Sequence, residues 1–291
     1  MPEFWTPSHS FTAAAAAEGG DCFFSLTQDD LAFEEVSHTV FALYREEAWY
    51  QLGHTGWNSL GLAMVTQPDT TLLSVSEEGE VWSYANGVIA EEVIDDPRHL
   101  RNIAAIDGLA YACGMDRQIF RRNSANDWQS LHADTPPQGK TLGFEAIAGF
   151  SPDELYAVGW DGEIWCYDGN WRNCGSPVNL ILNGVCCASS GEVYVCGLAG
   201  TLLKGRGDEW EVIFDEDVDR DFWDVIEFDS QIYVASKTDV YKVVPDGLEL
   251  LVAESSDLHY SGRFTRQSEL LWSIGDKNVF TFDGTSWTRI D

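Results

Sequence analysis

One position recurs along this chain with a spacing that leaves few folds open. Trp49, Val88, Trp128, Trp171, Trp210, Leu248 and Trp287 follow one another at intervals of 39, 40, 43, 39, 38 and 39 residues, and five of the seven are tryptophan. Around each lies the same succession of short hydrophobic runs and turn residues. A period near 40 residues in a chain of 291 is the mark of a repeat architecture built from one supersecondary unit.

The clearest unit is FEAIAGFSPDELYAVGWDGEIWCYDGNWRNC, residues 144–174. It reads as four strands: FEAIAGF (A), ELYAVGW (B), EIWCYD (C) and NWRNC (D). Ser151-Pro152-Asp153, Asp161-Gly162 and Asp168-Gly169 supply the turns. Asp-Gly suits a two-residue hairpin because both central residues adopt positive φ. Strands B to D recur around 71–93, 109–131, 192–213, 231–252 and 269–290, and the first, most divergent copy ends in VFALYREEAWYQLG. A four-stranded sheet of this size cannot bury both faces alone, so the units must stack in a ring. The expected fold is all-β: a single closed seven-bladed β-propeller over 1–291, with blades at about 1–53, 54–95, 96–134, 135–176, 177–215, 216–254 and 255–291. Closure is expected to bring the segment from Phe4 to Thr12 against the seventh blade. An indole opening the outer strand covers the gap between neighbouring blades, so the landmark tryptophans are scaffold.

The segments YAVGWDGEIWCYDGNW, YVCGLAGTLLKGRGDEW and FTFDGTSW resemble bacterial propeller repeats of the form aromatic-x-V-G-x-x-G-x-I-x-x-Y-D-G-x-W. The resemblance covers nearly the whole chain and implies a fold, not an activity, because such propellers serve many functions. No blade combines the Gly-His and Trp-Asp pairs of WD40 repeats, and the aspartate box of sialidases and a recurring kelch-type double glycine are missing.

Charge narrows the partners. Seventeen basic against 48 acidic residues give a net charge of −31. Such a surface repels phosphate backbones and anionic lipid, which argues against nucleic acid and membrane, and attracts a basic protein. Seven cysteines, several at strand positions, fit small core residues better than a disulfide framework. No secretory leader is legible: the start lacks basic residues and the run Ala13 to Ala17 is too short for an apolar leader core. The expectation is a cytoplasmic monomer without cofactor. No metal is expected either. DEDVDRD at 215–221 has Arg220 and Ile226 where a calcium loop needs Gly and Glu, Cys186 and Cys187 are adjacent, and the histidines show no ligand spacing.

Departures from the repeat point to the working surface. The B–C turns are tight, except for the insertion TQDDLAFEEVSH in the first copy, whereas the D–A loops vary in length. Both leave the same face of a propeller, and loops carried on a rigid scaffold are where binding resides. That face carries Asp29, Asp30, Glu34, Glu35, Asp95, Asp96, Asp134, Asp215, Glu216, Asp217, Asp219, Asp221, Glu254 and Asp257. Where the chain enters each strand A, a second set is expected to ring the channel mouth: Trp57, Asn58, Arg101, Asn102, Phe144, Glu145, Asn183, Trp223 and Asp224. The resulting expectation is a non-catalytic, protein-binding propeller that sequesters a basic partner. Its most concrete form is an immunity protein (antitoxin) neutralising a cognate bacterial toxin domain. The alternative is a carbohydrate-binding or glycoside-processing propeller, with Glu145 and Asp224 as paired carboxylates in a central funnel.

Overall fold

A computed structural model describes residues 7–132, 142–213, 218–245, 247–251, 262–267 and 269–291. They form seven four-stranded antiparallel sheets, each drawn from one continuous stretch: 9–55, 62–93, 100–130, 144–173, 182–212, 222–251 and 263–289. Within every sheet the strands run in chain order, A to D, and the seven sheets form a seven-bladed β-propeller. Among the described residues the α-helix is confined to five residues, Asp29–Phe33, inside the blade 1 insertion. None of the helices among the described residues is long and apolar enough to cross a membrane.

Blade 4 shows why the local sequence folds this way. Its strands are Phe144–Ser151, Glu154–Gly159, Ile164–Tyr167 and Trp171–Asn173. Between B and C, Asp161 and Gly162 both take left-handed backbone angles (φ 59° and 70°), as a primed turn requires. Gly162 is needed a second time for space: a Cβ there would lie 2.1 Å from the Val178 carbonyl oxygen. Strand B is buried from Leu155 to Gly159, because neighbouring blades cover both faces of its sheet.

The core consists of seven clusters, each shared by two adjacent blades. Closure needs no strand exchange between the termini. Phe11, Phe24 and Ala42 of blade 1 pack with Trp272, Ile274 and Val279 of blade 7. The Phe11 amide donates to the Asp276 carbonyl at 2.9 Å, and the Ala16 amide to Thr265 Oγ1 at 3.0 Å. Phe4 lies outside the described residues, whereas Phe11 makes the expected contact with blade 7. The alanine run is the innermost strand of blade 1, His9–Ala16. Ala13 and Ala15 face blade 2, while Ala14 and Ala16 face blade 7. Small side chains fit because seven inner strands crowd around the axis.

The landmark residues sit where the repeat places them. Trp49, Trp128, Trp171, Trp210, Leu248 and Trp287 each pack on the cluster shared with the preceding blade. The Trp171 indole also donates to the Leu131 carbonyl at 2.6 Å, across the gap from blade 3. Val88 is the exception and is 65% exposed. At that interface Trp82, from strand C of blade 2, stacks on Phe41 of blade 1 at 3.9 Å and 12° and fills the role from a different strand. Blades 2 and 3 share a polar tie as well. Arg122 makes a bidentate pair with the buried Glu92 (2.7 and 3.0 Å), and Glu92 also accepts from the Asn126 amide and the Trp128 indole. All seven cysteines are unpaired and five are buried, in keeping with their reading as core residues.

The contrast between landmarks is measurable. Trp171→Ala is expected to destabilise the protein by about 3 kcal/mol, through lost packing and an orphaned carbonyl. Val88→Ala should change stability by less than about 0.5 kcal/mol. Urea unfolding of the two variants beside the wild type checks both.

Candidate partner-binding face and channel mouth

Register fixes which loops share a face. In blade 4 the start of strand A pairs with the end of B (Phe144 with Gly159), and the start of C pairs with the ends of B and D (Ile164 with Val158, Trp165 with Asn173). The B–C turn and the D–A connections therefore leave the same end of the sheet, around the mouth of the axial channel.

The mouth is built by a repeated backbone irregularity. In strand A of blades 1, 3, 4, 5 and 6 one residue falls outside the pairing register with strand B: Thr12, Arg101, Glu145, Asn183 and Trp223. A bulge of this kind re-aims the extra side chain. All five line a funnel of roughly 540 Å3, together with Asn102, Lys237, Arg263 and Asp276. The residues just before them, Phe11, Leu100, Phe144, Leu182 and Phe222, are buried between blades. Below the funnel the inner strands enclose a channel of roughly 460 Å3, much of it lined by small residues such as Ala63, Ala105, Ala148 and Gly184.

This geometry corrects part of the expected mouth set. Phe144 is fully buried in the cluster between blades 3 and 4, because it precedes the bulge. Trp57 and Asn58 lie ahead of strand A of blade 2 and outside the funnel lining. Trp57 packs on the cluster between blades 1 and 2, and Asn58 Oδ1 accepts the His38 amide at 3.1 Å. Arg101, Asn102, Glu145, Asn183 and Trp223 do converge, and Asp224 lies just below, in the channel. Thr12, Lys237, Arg263 and Asp276 were missed. The apolar-then-bulge pattern of strand A could have pointed to Thr12; the other three arrive from blades 6 and 7 by tertiary placement.

Several of these groups are occupied with holding blades together. Arg101 of blade 3 pairs with Glu145 of blade 4 at 3.2 Å, and Glu145 also accepts the Trp160 indole at 2.6 Å. Asn183 donates to the Phe222 carbonyl of blade 6 at 2.8 Å. Asp224 accepts the Phe264 amide of blade 7 and its neighbour Val225, both at 2.8 Å. Lys237 lies 5.1 Å over the half-exposed Trp223 ring, in cation–π range. Burial pushes the Asp224 carboxyl up to about 6, against the lowering pull of the Phe264 amide and the Arg263 charge.

The loop acids are placed as follows. Asp29 pairs with Lys277 of blade 7 and accepts Ser10 Oγ at 2.7 Å; although burial raises its pKa, these partners bring the net shift below the usual carboxylate value. Asp221 accepts the Ala199 amide at 2.9 Å. Asp30, Glu34, Glu35, Asp95, Asp96 and Asp219 are exposed and make no ion pair among the described residues. Asp134, Asp215, Glu216, Asp217, Glu254 and Asp257 lie outside the described residues. One grouping was not legible in sequence: His99 Nδ1 stands 3.1 Å from Glu77 and 3.5 Å from Glu78, all three exposed. Arg98 and Arg220, basic residues of the same loops, are paired with Asp116 and Asp239.

Fold and face together define a seven-bladed propeller whose individuality lies in its B–C and D–A loops. No protein-family profile matches the chain. The chain is 41% identical over 278 residues to the immune protein Tsi7 of Pseudomonas aeruginosa strain PAO1, covering 90% of this chain and 91% of that one. It belongs to the Tsi7 family. Solved structures that share the fold are far more distant in sequence. The extracellular domain of the one-component system BT4673 from B. thetaiotaomicron superimposes with a TM-score of 0.73 at 11% identity, over 96% of this chain and 39% of that one. A Mycobacterium tuberculosis puromycin-hydrolysing peptidase gives 0.68 at 14%, over 97% and 52%. YCF48 bound to D1 peptide gives 0.58 at 12%, over 79% and 80%.

The sign of the Asp224 effect follows from its raised pKa. A carboxyl that holds its proton more tightly when folded stabilises the protein below about pH 4, and that contribution is lost as pH rises through about 6. Asp224→Asn removes this titration. The stability difference between the variant and the wild type is expected to shift in the variant's favour by roughly 2–3 kcal/mol between pH 4 and pH 7. Chemical denaturation across that range measures it.

Proposed function

We propose that this protein is an immunity protein that neutralises a cognate toxin domain by binding it directly, without catalysis and without a cofactor, in the cytoplasm. The observation that carries the reading is the 41% identity to an immune protein along nearly the whole chain. The binding surface is the loop face. Its B–C and D–A loops hold Asp30, Glu34, Glu35, Asp95, Asp96 and Asp219 free of ion pairing among the described residues, on a protein of net charge −31. Unpaired exposed acids on a rigid ring favour a basic partner, because long-range attraction raises the encounter rate and little ordering is required on this side. The mouth residues support the same face as structural ties: Arg101, Glu145, Asn183 and Asp224 spend their hydrogen bonds between blades.

The direct test pairs this protein with the product of the neighbouring open reading frame. Co-expression is expected to abolish that product's toxicity, and the purified pair is expected to lose about 10-fold or more in affinity between 50 mM and 500 mM salt. Toxicity that persists on co-expression refutes the immunity reading. Affinity indifferent to salt refutes the electrostatic part alone.

A further inference from the structure

The insertion between strands B and C of blade 1 carries the most exposed large apolar side chain of the described residues. Phe33 is 90% exposed and Val36 is 46% exposed. The helix Asp29–Phe33, closed by Phe33 and followed just beyond by Val36, contributes no buried residue. It ends in a tight cap: the Val36 amide donates to the Leu31 carbonyl at 2.9 Å and the Glu35 amide to Ala32 at 3.1 Å, with Glu35 at φ 57°. A left-handed residue is the usual pivot of this cap, and a side chain other than glycine there costs about 1 kcal/mol.

The base of the insertion is pinned on three sides. The buried His38 ring donates from Nδ1 to the Val36 carbonyl at 2.7 Å and accepts the Gln28 amide on Nε2 at 2.5 Å. The His38 amide donates to Asn58, which leads into blade 2. Asp29 is tied to Ser10 and to Lys277 of blade 7. The tip is therefore a rigid projection, not a loose loop, and its exposed phenylalanine is pre-organised for contact.

Exposure of Phe33 does nothing for folding. Burying such a ring is worth about 2–3 kcal/mol, and this fold leaves that stabilisation unused. An aromatic group held on a rigid support is the form taken by the few residues that dominate an interface. The charge beside it selects the occupant. Asp30, Glu34 and Glu35 flank Phe33, all exposed and without ion pairs among the described residues. Resting on the immunity reading, we propose that Phe33 and Val36 are the hydrophobic anchor of the toxin interface, seated in an apolar pocket of a basic toxin domain whose rim meets Asp30, Glu34 and Glu35.

The test uses the full chain and an inactivated form of the neighbouring gene product, with binding followed by biolayer interferometry. Wild type is expected to bind, Phe33→Ala at least about 10-fold more weakly through faster dissociation, and Phe33→Trp within about 3-fold of wild type. Thermal unfolding of Phe33→Ala should match wild type, which separates lost contact from lost fold. Unchanged affinity in Phe33→Ala overturns the anchor and leaves the immunity reading standing. A wild-type protein that fails to bind overturns both. Concentration-dependent dimers of the wild type that Phe33→Ala dissolves would put the anchor at a contact between two copies and overturn the proposal.

Discussion

Face-to-face packing between neighbouring blades is the contact on which the molecule rests. A four-stranded sheet of about 30 residues exposes two apolar faces and has too little material to cover either. Stacking covers both at once, but leaves two bare faces until the last sheet meets the first. Phe11, Phe24 and Ala42 against Trp272, Ile274 and Val279 close that final gap, with the Phe11 and Ala16 amides bonded across it. Closure joins sequence neighbours everywhere except between blades 7 and 1, so ring completion is the long-range event on which the other interfaces depend.

The same constraint explains which residues are interchangeable. The landmark indole must fill a gap between adjacent sheets, and any large apolar group arriving there suffices. Leu248 does it in blade 6 from the landmark position itself. In blade 2 the job passes to Trp82, one strand inward, and Val88 is left facing water. The polar cluster of Arg122, Glu92, Asn126 and Trp128 shows a second solution, in which a buried pair is fully bonded across the gap between blades 2 and 3. Breaking one member of such a pair leaves a buried charge without a partner, so both must be kept together.

Rigidity of the ring is what lets the loops differ. In five of the seven blades a bulge in strand A turns one residue towards the mouth while the residue before it stays buried, so scaffold and surface alternate along adjacent positions. Arg101, Glu145 and Asn183 face the funnel yet bond a neighbouring blade, and Asp224 does the same from just beneath. What remains unspent lies further out, in the exposed loop acids and the Phe33 projection.

The seven-fold repeat, four strands to a blade and the Asp-Gly turn of blade 4 were legible in the sequence, because they depend on local spacing and backbone preference. So was the convergence of Arg101, Glu145, Asn183 and Trp223, which share one position in the repeat. Phe144 was misplaced because a one-residue bulge decides which of two adjacent side chains points inward, and hydrophobicity alone does not mark a bulge; Trp57 and Asn58 were misplaced because strand A of blade 2 begins only at Leu62. Lys237, Arg263 and Asp276 reach the mouth from other blades, and His99 meets Glu77 and Glu78 across a loop; no spacing in one chain encodes those meetings. The alanine run read only as a failed leader, since its meaning depends on being the innermost strand of a closed ring. Sequence by itself determined the unit and its number. Tertiary structure decided which side chains are spent on closing the ring and which are left exposed, because that division depends on what stands across each gap.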